Sequence, residues 1–188
     1  MSAKPLFAYE NDYEPGGTFD LQCASHLIAE NNTWEAMLRE MIAKGLIHVR
    51  HSVSDVALGP SDIAVAVAIH ALWKSGIKDD DGLHAASVAL YGWQPEQRAS
   101  EIHPISFALW NADQQAWVLN LSRLWQRRDT RQKMTRAWCF RMSDPVMPPN
   151  NAKWCLISDL TVYLSPLLQP ICRRLKAAHV QVPAGARH

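Results

Sequence analysis

Seven of the chain's bases fall between Arg123 and Arg141, with Asp129 the one acid among them. Guanidinium and ammonium groups at this density are the usual electrostatic footprint of phosphate binding. Arg127, Arg128, Arg131 and Lys133 are expected to contact DNA phosphates with little sequence preference, because phosphates carry no base identity. Trp117, Trp125 and Trp138 interleave with these bases, and aromatic rings beside arginine suit stacking on single-stranded bases. Trp117 shares a helical face with Leu121, Leu124 and Arg128, which favours packing for it and leaves Trp125 as the better stacking candidate. The bland alternative is that the bases pair with acids elsewhere in the fold.

Other chemistry is less well represented. Cys23, Cys139, Cys155 and Cys172 are far apart and form no Cys-x-x-Cys pair, so reduced, buried thiols are the favoured reading. His48 and His51 lie three apart on an expected strand and point to opposite faces. No zinc site is expected from either set.

The elements that must position the bases follow from length and pattern. The chain has 188 residues, 48% of them apolar, which suits a single globular domain over residues 1–188. No apolar run reaches the roughly 18 residues needed to span a membrane. Met1 to Asp20 hold four acids and only Lys4 as a base, the wrong sign for a signal peptide, so a cytoplasmic protein is expected. The net charge of +1 conceals an asymmetry: residues 1–119 hold seven Lys/Arg against fifteen Asp/Glu, a net of −8, and residues 120–188 hold twelve against three, a net of +9.

Pro5 to Tyr9 reads as extended, Glu14–Gly17 as a turn, and Asp20 to Glu30 as a short helix. Asn32 reads as an N-cap with Glu35 completing a capping box, and Gly45 as the C-cap of the helix between. Leu46 to Val53 alternates as a half-buried strand. Pro60 to Gly76 is ambiguous: alternation favours a strand, while length, alanines and an N-terminal cap favour a buried helix, the preferred reading. Asp79–Gly82 is a loop leading into a helix through Tyr91 that ends at Gly92. Glu101 to Leu109 reads as a strand. Asp113 caps a helix carrying the basic cluster, with a hairpin across Asn111–Gln114 as the competing reading. Pro145, Pro148 and Pro149 mark a break, Lys153 to Tyr163 is strand or helix, and Ser165-Pro166 starts a last helix. The expected fold class is α/β (α+β): a small mixed sheet with surrounding helices and a helical C-terminal extension over 150–180.

Four segments then line up, in order, with a known pattern. Leu38-x-x-Met41-Ile42-x-x-Gly45-Leu46-Ile47-x-Val49-Arg50 resembles the helix-to-strand start of a ParB domain. Gly82-Leu83-His84 occupies the place of the family's Gly-x-His-Arg turn, Ile102-His103-Pro104-Ile105 is similar to its Ile-Pro-Val strand, and Val118-Leu119-Asn120-Leu121-Ser122-Arg123 resembles its Val-Glu-Asn-Leu-Gln-Arg box. The chain thus resembles the ParB/sulfiredoxin family over residues 34–130. The resemblance implies a nucleotide site in which Gly82 and His84 cradle phosphate at a helix N-terminus, Asn120 meets a phosphate oxygen or hydrated Mg²⁺, and Arg123 binds phosphate bidentately. Ala85 stands where the family has arginine and Leu119 where it has glutamate, so charge for phosphate must come from Arg50, Arg127 or Arg128. Sulfiredoxin chemistry is disfavoured, because no cysteine lies beside Gly82.

About sixty residues follow the box, leaving little room for the added domains of partition proteins. The chain is similar in size and motifs to stand-alone plasmid fertility-inhibition members of this fold. That similarity implies ATP-linked binding or cleavage of DNA, blocking its transfer through a type IV secretion system. The alternatives are a DNA-binding partition or regulatory module without catalysis, and a protein-interaction inhibitor using the acidic half. Phosphodiester cleavage requires carboxylates near a metal or an activated water; Asp79, Asp80, Asp81 and Asp113 are the nearby acids, a solvated loop explains them equally well, and no catalytic base is assigned.

Overall fold

The computed structural model describes residues 17–29, 33–51, 56–92, 104–126, 129–143 and 154–180, with the backbone alone described at 50–51, 125–126, 129–132, 154 and 179–180. The chain order is α1 (Leu21–Ile28), α2 (Thr33–Ala43), β1 (Arg50–His51), β2 (Val56–Ala57), α3 (Pro60–Lys74), α4 (Asp80–Tyr91), α5 (Pro104–Trp110), β3 (Trp117–Gln126), β4 (Asp129–Arg141), β5 (Trp154–Tyr163) and α6 (Leu164–Val180). The fold is α+β with a helical C-terminal part. Its main sheet is small, ordered β4-β3-β5, and both of its pairings are antiparallel. No helix among the described residues is long and apolar enough to cross a membrane.

The ambiguous segment after Gly59 is a helix. Pro60 occupies its first turn, where the missing N–H costs nothing, and Asp62 Oδ2 accepts from Gly59 N at 2.8 Å. Residues 60–69 and Leu72 are all buried, as expected for a helix that is apolar all round. Helices α4, α5 and α6 pack around it. Arg174 on α6 donates to the carbonyls of Leu27 and Ile28 at 3.0 and 2.7 Å, satisfying orphan acceptors at the end of α1.

Two expected strands are corrected. Among the described residues 46–51 of the expected strand, Arg50–His51 is strand, paired with Val56–Ala57, and 46–49 are not; residues 52–55 lie outside the described residues. The cause is that the segment's backbone bonds to side chains instead of to a neighbouring strand. Leu46 O accepts from Ser87 Oγ at 2.6 Å, and His48 N donates to Tyr91 Oη at 3.2 Å. Residues 104–110 are helix, with Glu101 to His103 outside the described residues. Proline suits a first helical turn, and Ile105, Ala108 and Leu109 are buried at helical spacing while Phe107 is 42% exposed. Strand alternation would have buried Phe107 with Ile105 and Leu109 or exposed all three.

The helix expected after Asp113 is also corrected: the basic cluster lies on β3 and β4. Asp113 sits in the turn after α5 and pairs with Arg173 and Lys176 at 3.8 and 3.9 Å. Residues 154–163 are strand, and the last helix begins at Leu164. Pro5 to Tyr9, Glu14 to Gly16, Asn32 and the three prolines after Asp144 lie outside the described residues. Gly92 closes α4 in the left-handed region, φ 82°, where a Cβ would also meet Pro104 Cδ at 2.9 Å.

His70 on α3 lies edge-on to Trp34 of α2, with ring centroids 4.7 Å apart, and its Nδ1 is buried without a hydrogen-bond partner among the described residues. Burial, aided by Lys74, holds its pKa below the usual histidine value. The unfolded chain therefore binds the proton more readily, so stability falls as pH drops through the unfolded-state value of about 6.5 toward the lower folded value. The melting temperature should fall between pH 7 and pH 5, and His70→Gln should reduce that fall; parallel curves for the two proteins in thermal denaturation would refute it.

Candidate nucleic-acid interface

Strands β3 and β4 form one antiparallel ribbon in which Trp117 pairs with Arg141, Arg123 with Thr135, Trp125 with Lys133 and Gln126 with Asp129. Gln126 and Asp129 thus face each other at one end of the pair, with Lys133 four residues in from it along β4. Arg127 and Arg128 lie outside the described residues, and Arg131 is placed in β4 by its backbone alone. Lys133 is exposed. Arg141 stands at the opposite end, roughly 26 Å away by strand rise, so it is not part of the same cluster.

Alternation sorts the ribbon into two faces. Trp117, Leu119 and Leu121 join Ala137, Cys139 and Val162 in the core against the helices. Trp117 stacks on Phe107 with centroids 6.4 Å apart, so its role is packing. Burial pushes the Cys139 thiol far up. All four cysteines are free; Cys172 is buried as well, Cys155 is half-buried and Cys23 is exposed. The side chain of Trp125 is not among those described, and Trp138 is half-buried.

Arg123 follows the core residues on the same face and is brought to the start of α4. It forms an ion pair with Asp79, whose other carboxylate oxygen accepts from Gly82 N at 3.0 Å. The anion position at this helix N-terminus is thus filled by the chain's own N-cap. Gly82 is buried, and a Cβ there would meet Ile77 Cγ2 at 2.9 Å and Asp79 Oδ2 at 3.0 Å. Its glycine is explained by the close approach of the cap. His84 is exposed one turn into the helix.

Asn120 does not join this group. It lies on the other face of β3, where its Nδ2 donates to Asp159 Oδ1 at 2.7 Å and Thr161 Oγ1 at 3.2 Å. The hydroxyl of Ser122, a fully buried residue, lies 2.8 Å from the same Asp159 oxygen and 3.0 Å from Asn120 Oδ1, with one proton to share between these two acceptors. The residues expected to hold a nucleotide therefore divide: Gly82 and Arg123 converge through Asp79, and Asn120 belongs to a separate polar patch, flanked across the sheet by Trp138 and Thr161. Among the described residues no group of three or more His, Cys, Asp or Glu is placed to hold a metal ion.

Sequence reasoning missed Asp159 and underrated Asp79. The readable signal for Asp79 was its position as a carboxylate immediately before a helix; Asp159 becomes visible only once β3 and β5 are paired.

Gly82→Ala should lower stability by about 1 kcal/mol, since overpacking costs roughly 1–3 kcal/mol and exceeds the gain of about 1 kcal/mol from alanine in a helix. A chemical-denaturation midpoint at or above that of the parent protein would show that the cap tolerates the extra methyl. A scan of the chain against protein-family models finds no match, and a search of curated proteins finds no match either.

Proposed function

We propose that the protein is a cytoplasmic DNA-binding inhibitor of plasmid transfer, which holds nucleic-acid phosphates on the distal end of its β3–β4 ribbon. One observation carries the reading: four bases, Arg127, Arg128, Arg131 and Lys133, lie within seven residues of sequence that join the end of β3 to the start of β4, with Asp129 the only acid among them. Clustered bases of this kind supply binding to nucleic-acid phosphates without base identity. The setting, inhibition of conjugal DNA transfer through a type IV secretion system, rests on the resemblance to ParB/sulfiredoxin-fold fertility-inhibition proteins. ATP and Mg²⁺ come from that resemblance too. The residues expected for them do not converge, because Asn120 and Arg123 lie on opposite faces of β3.

A second reading has an observation in its favour. Arg123 pairs with Asp79, and Arg173 and Lys176 pair with Asp113, so part of the basic half neutralises the acidic half within the fold. The two readings separate on Arg128→Gln/Arg131→Gln. Phosphate binding predicts an unchanged melting temperature and a plot of log affinity against log salt flatter by about 1.8, two contacts at roughly 0.9 each for duplex DNA. Early melting with an unchanged slope would refute the phosphate role of these arginines.

A further inference from the structure

Arg123 stands where the ribbon meets the helices. It shares its sheet face with Lys133, two rungs away, since Arg123 pairs with Thr135 and Trp125 with Lys133. Both members of its ion pair are accessible, Arg123 at 40% and Asp79 at 44% of their side-chain surface. Exposed pairs are weak, whereas a guanidinium grips a phosphate through two parallel hydrogen bonds. Asp79 itself is held in place from the other side by Gly82 N, so it keeps its position whether or not Arg123 is bound to it. Resting on the ribbon reading above, we propose that Asp79 is a built-in competitor for phosphate: its carboxylate occupies Arg123 and keeps that arginine out of the anion-binding surface.

The contact works as an autoinhibitory latch. In the latched protein the ribbon binds through its other bases. Once Asp79 is neutralised, Arg123 adds a contact beside Lys133. Asparagine at position 79 still accepts from Gly82 N, so the helix cap survives while the charge is lost.

The test is a double-mutant cycle read by salt-dependent binding to a duplex, with melting temperatures as folding controls. Asp79→Asn should bind about two- to five-fold tighter at low salt, with a slope steeper by about 0.9. Arg123→Gln alone should leave affinity unchanged, and the double variant should return to the parent value. Asp81→Asn makes the same charge change in the same turn and should leave the slope as it was. ATP offered without nucleic acid separates the two sources of phosphate: a gain confined to the duplex assigns the contact to the nucleic-acid backbone, and a gain confined to ATP assigns it to a free nucleotide. If Arg123→Gln weakens binding by the same factor whether residue 79 is Asp or Asn, the charges act independently and the latch is overturned. A parent protein that binds the duplex while Asp79→Asn changes neither ligand's affinity also overturns it, with the ribbon reading intact. A parent that binds no duplex at low salt overturns both.

Discussion

A carboxylate inside an apolar helix must be satisfied where it stands, and Asp62 in α3 is that group. It is 5% exposed, and it accepts from Gly59 N at 2.8 Å and from Tyr91 Oη at 2.6 Å. The Tyr91 hydroxyl in turn accepts from His48 N. One buried acid thus joins the start of α3, the end of α4 and the segment leading out of α2. A buried charge without such partners would cost several kcal/mol, so the three segments are held to one arrangement. That arrangement aims the other end of α4, with Asp79 and Gly82, toward β3.

The same network explains what sequence reasoning could and could not reach. Helix α3 was legible because fifteen residues of it carry a proline start, an acid in the first turn and several alanines. Helix α4 was legible from its ends. The α+β class followed from helical and alternating stretches in one chain. The segment after Gly45 was not legible as a loop, because its apolar alternation is that of a strand. Only the side chains of Ser87 and Tyr91, some forty residues further on, take up its backbone groups. The segment after Pro104 fits either period over so few residues, and tertiary burial of Ile105, Ala108 and Leu109 decided it.

The candidate site divides along the same line. Its charge was legible, since the basic run is contiguous in sequence. Its geometry was not, because a helix was expected where a ribbon stands. On a helix, Asn120 and Arg123 are three apart and share a face; on a strand that spacing sends them to opposite faces. The placement of Asn120 with Asp159, and of Arg123 with Asp79, follows from that single change of period.

The bonds from Arg174 to Leu27 and Ile28 span 147 and 146 residues of chain. On a ribosome adding roughly 5–20 residues each second, about 7–30 s separate the emergence of α1 from that of its capping arginine. Through that interval these carbonyls lack their Arg174 donor. Contacts of such long sequence separation slow folding, because the loop must close before they form. The end of α1 therefore receives its arginine cap only after α6 has been made, although α1 already has α2 to pack against.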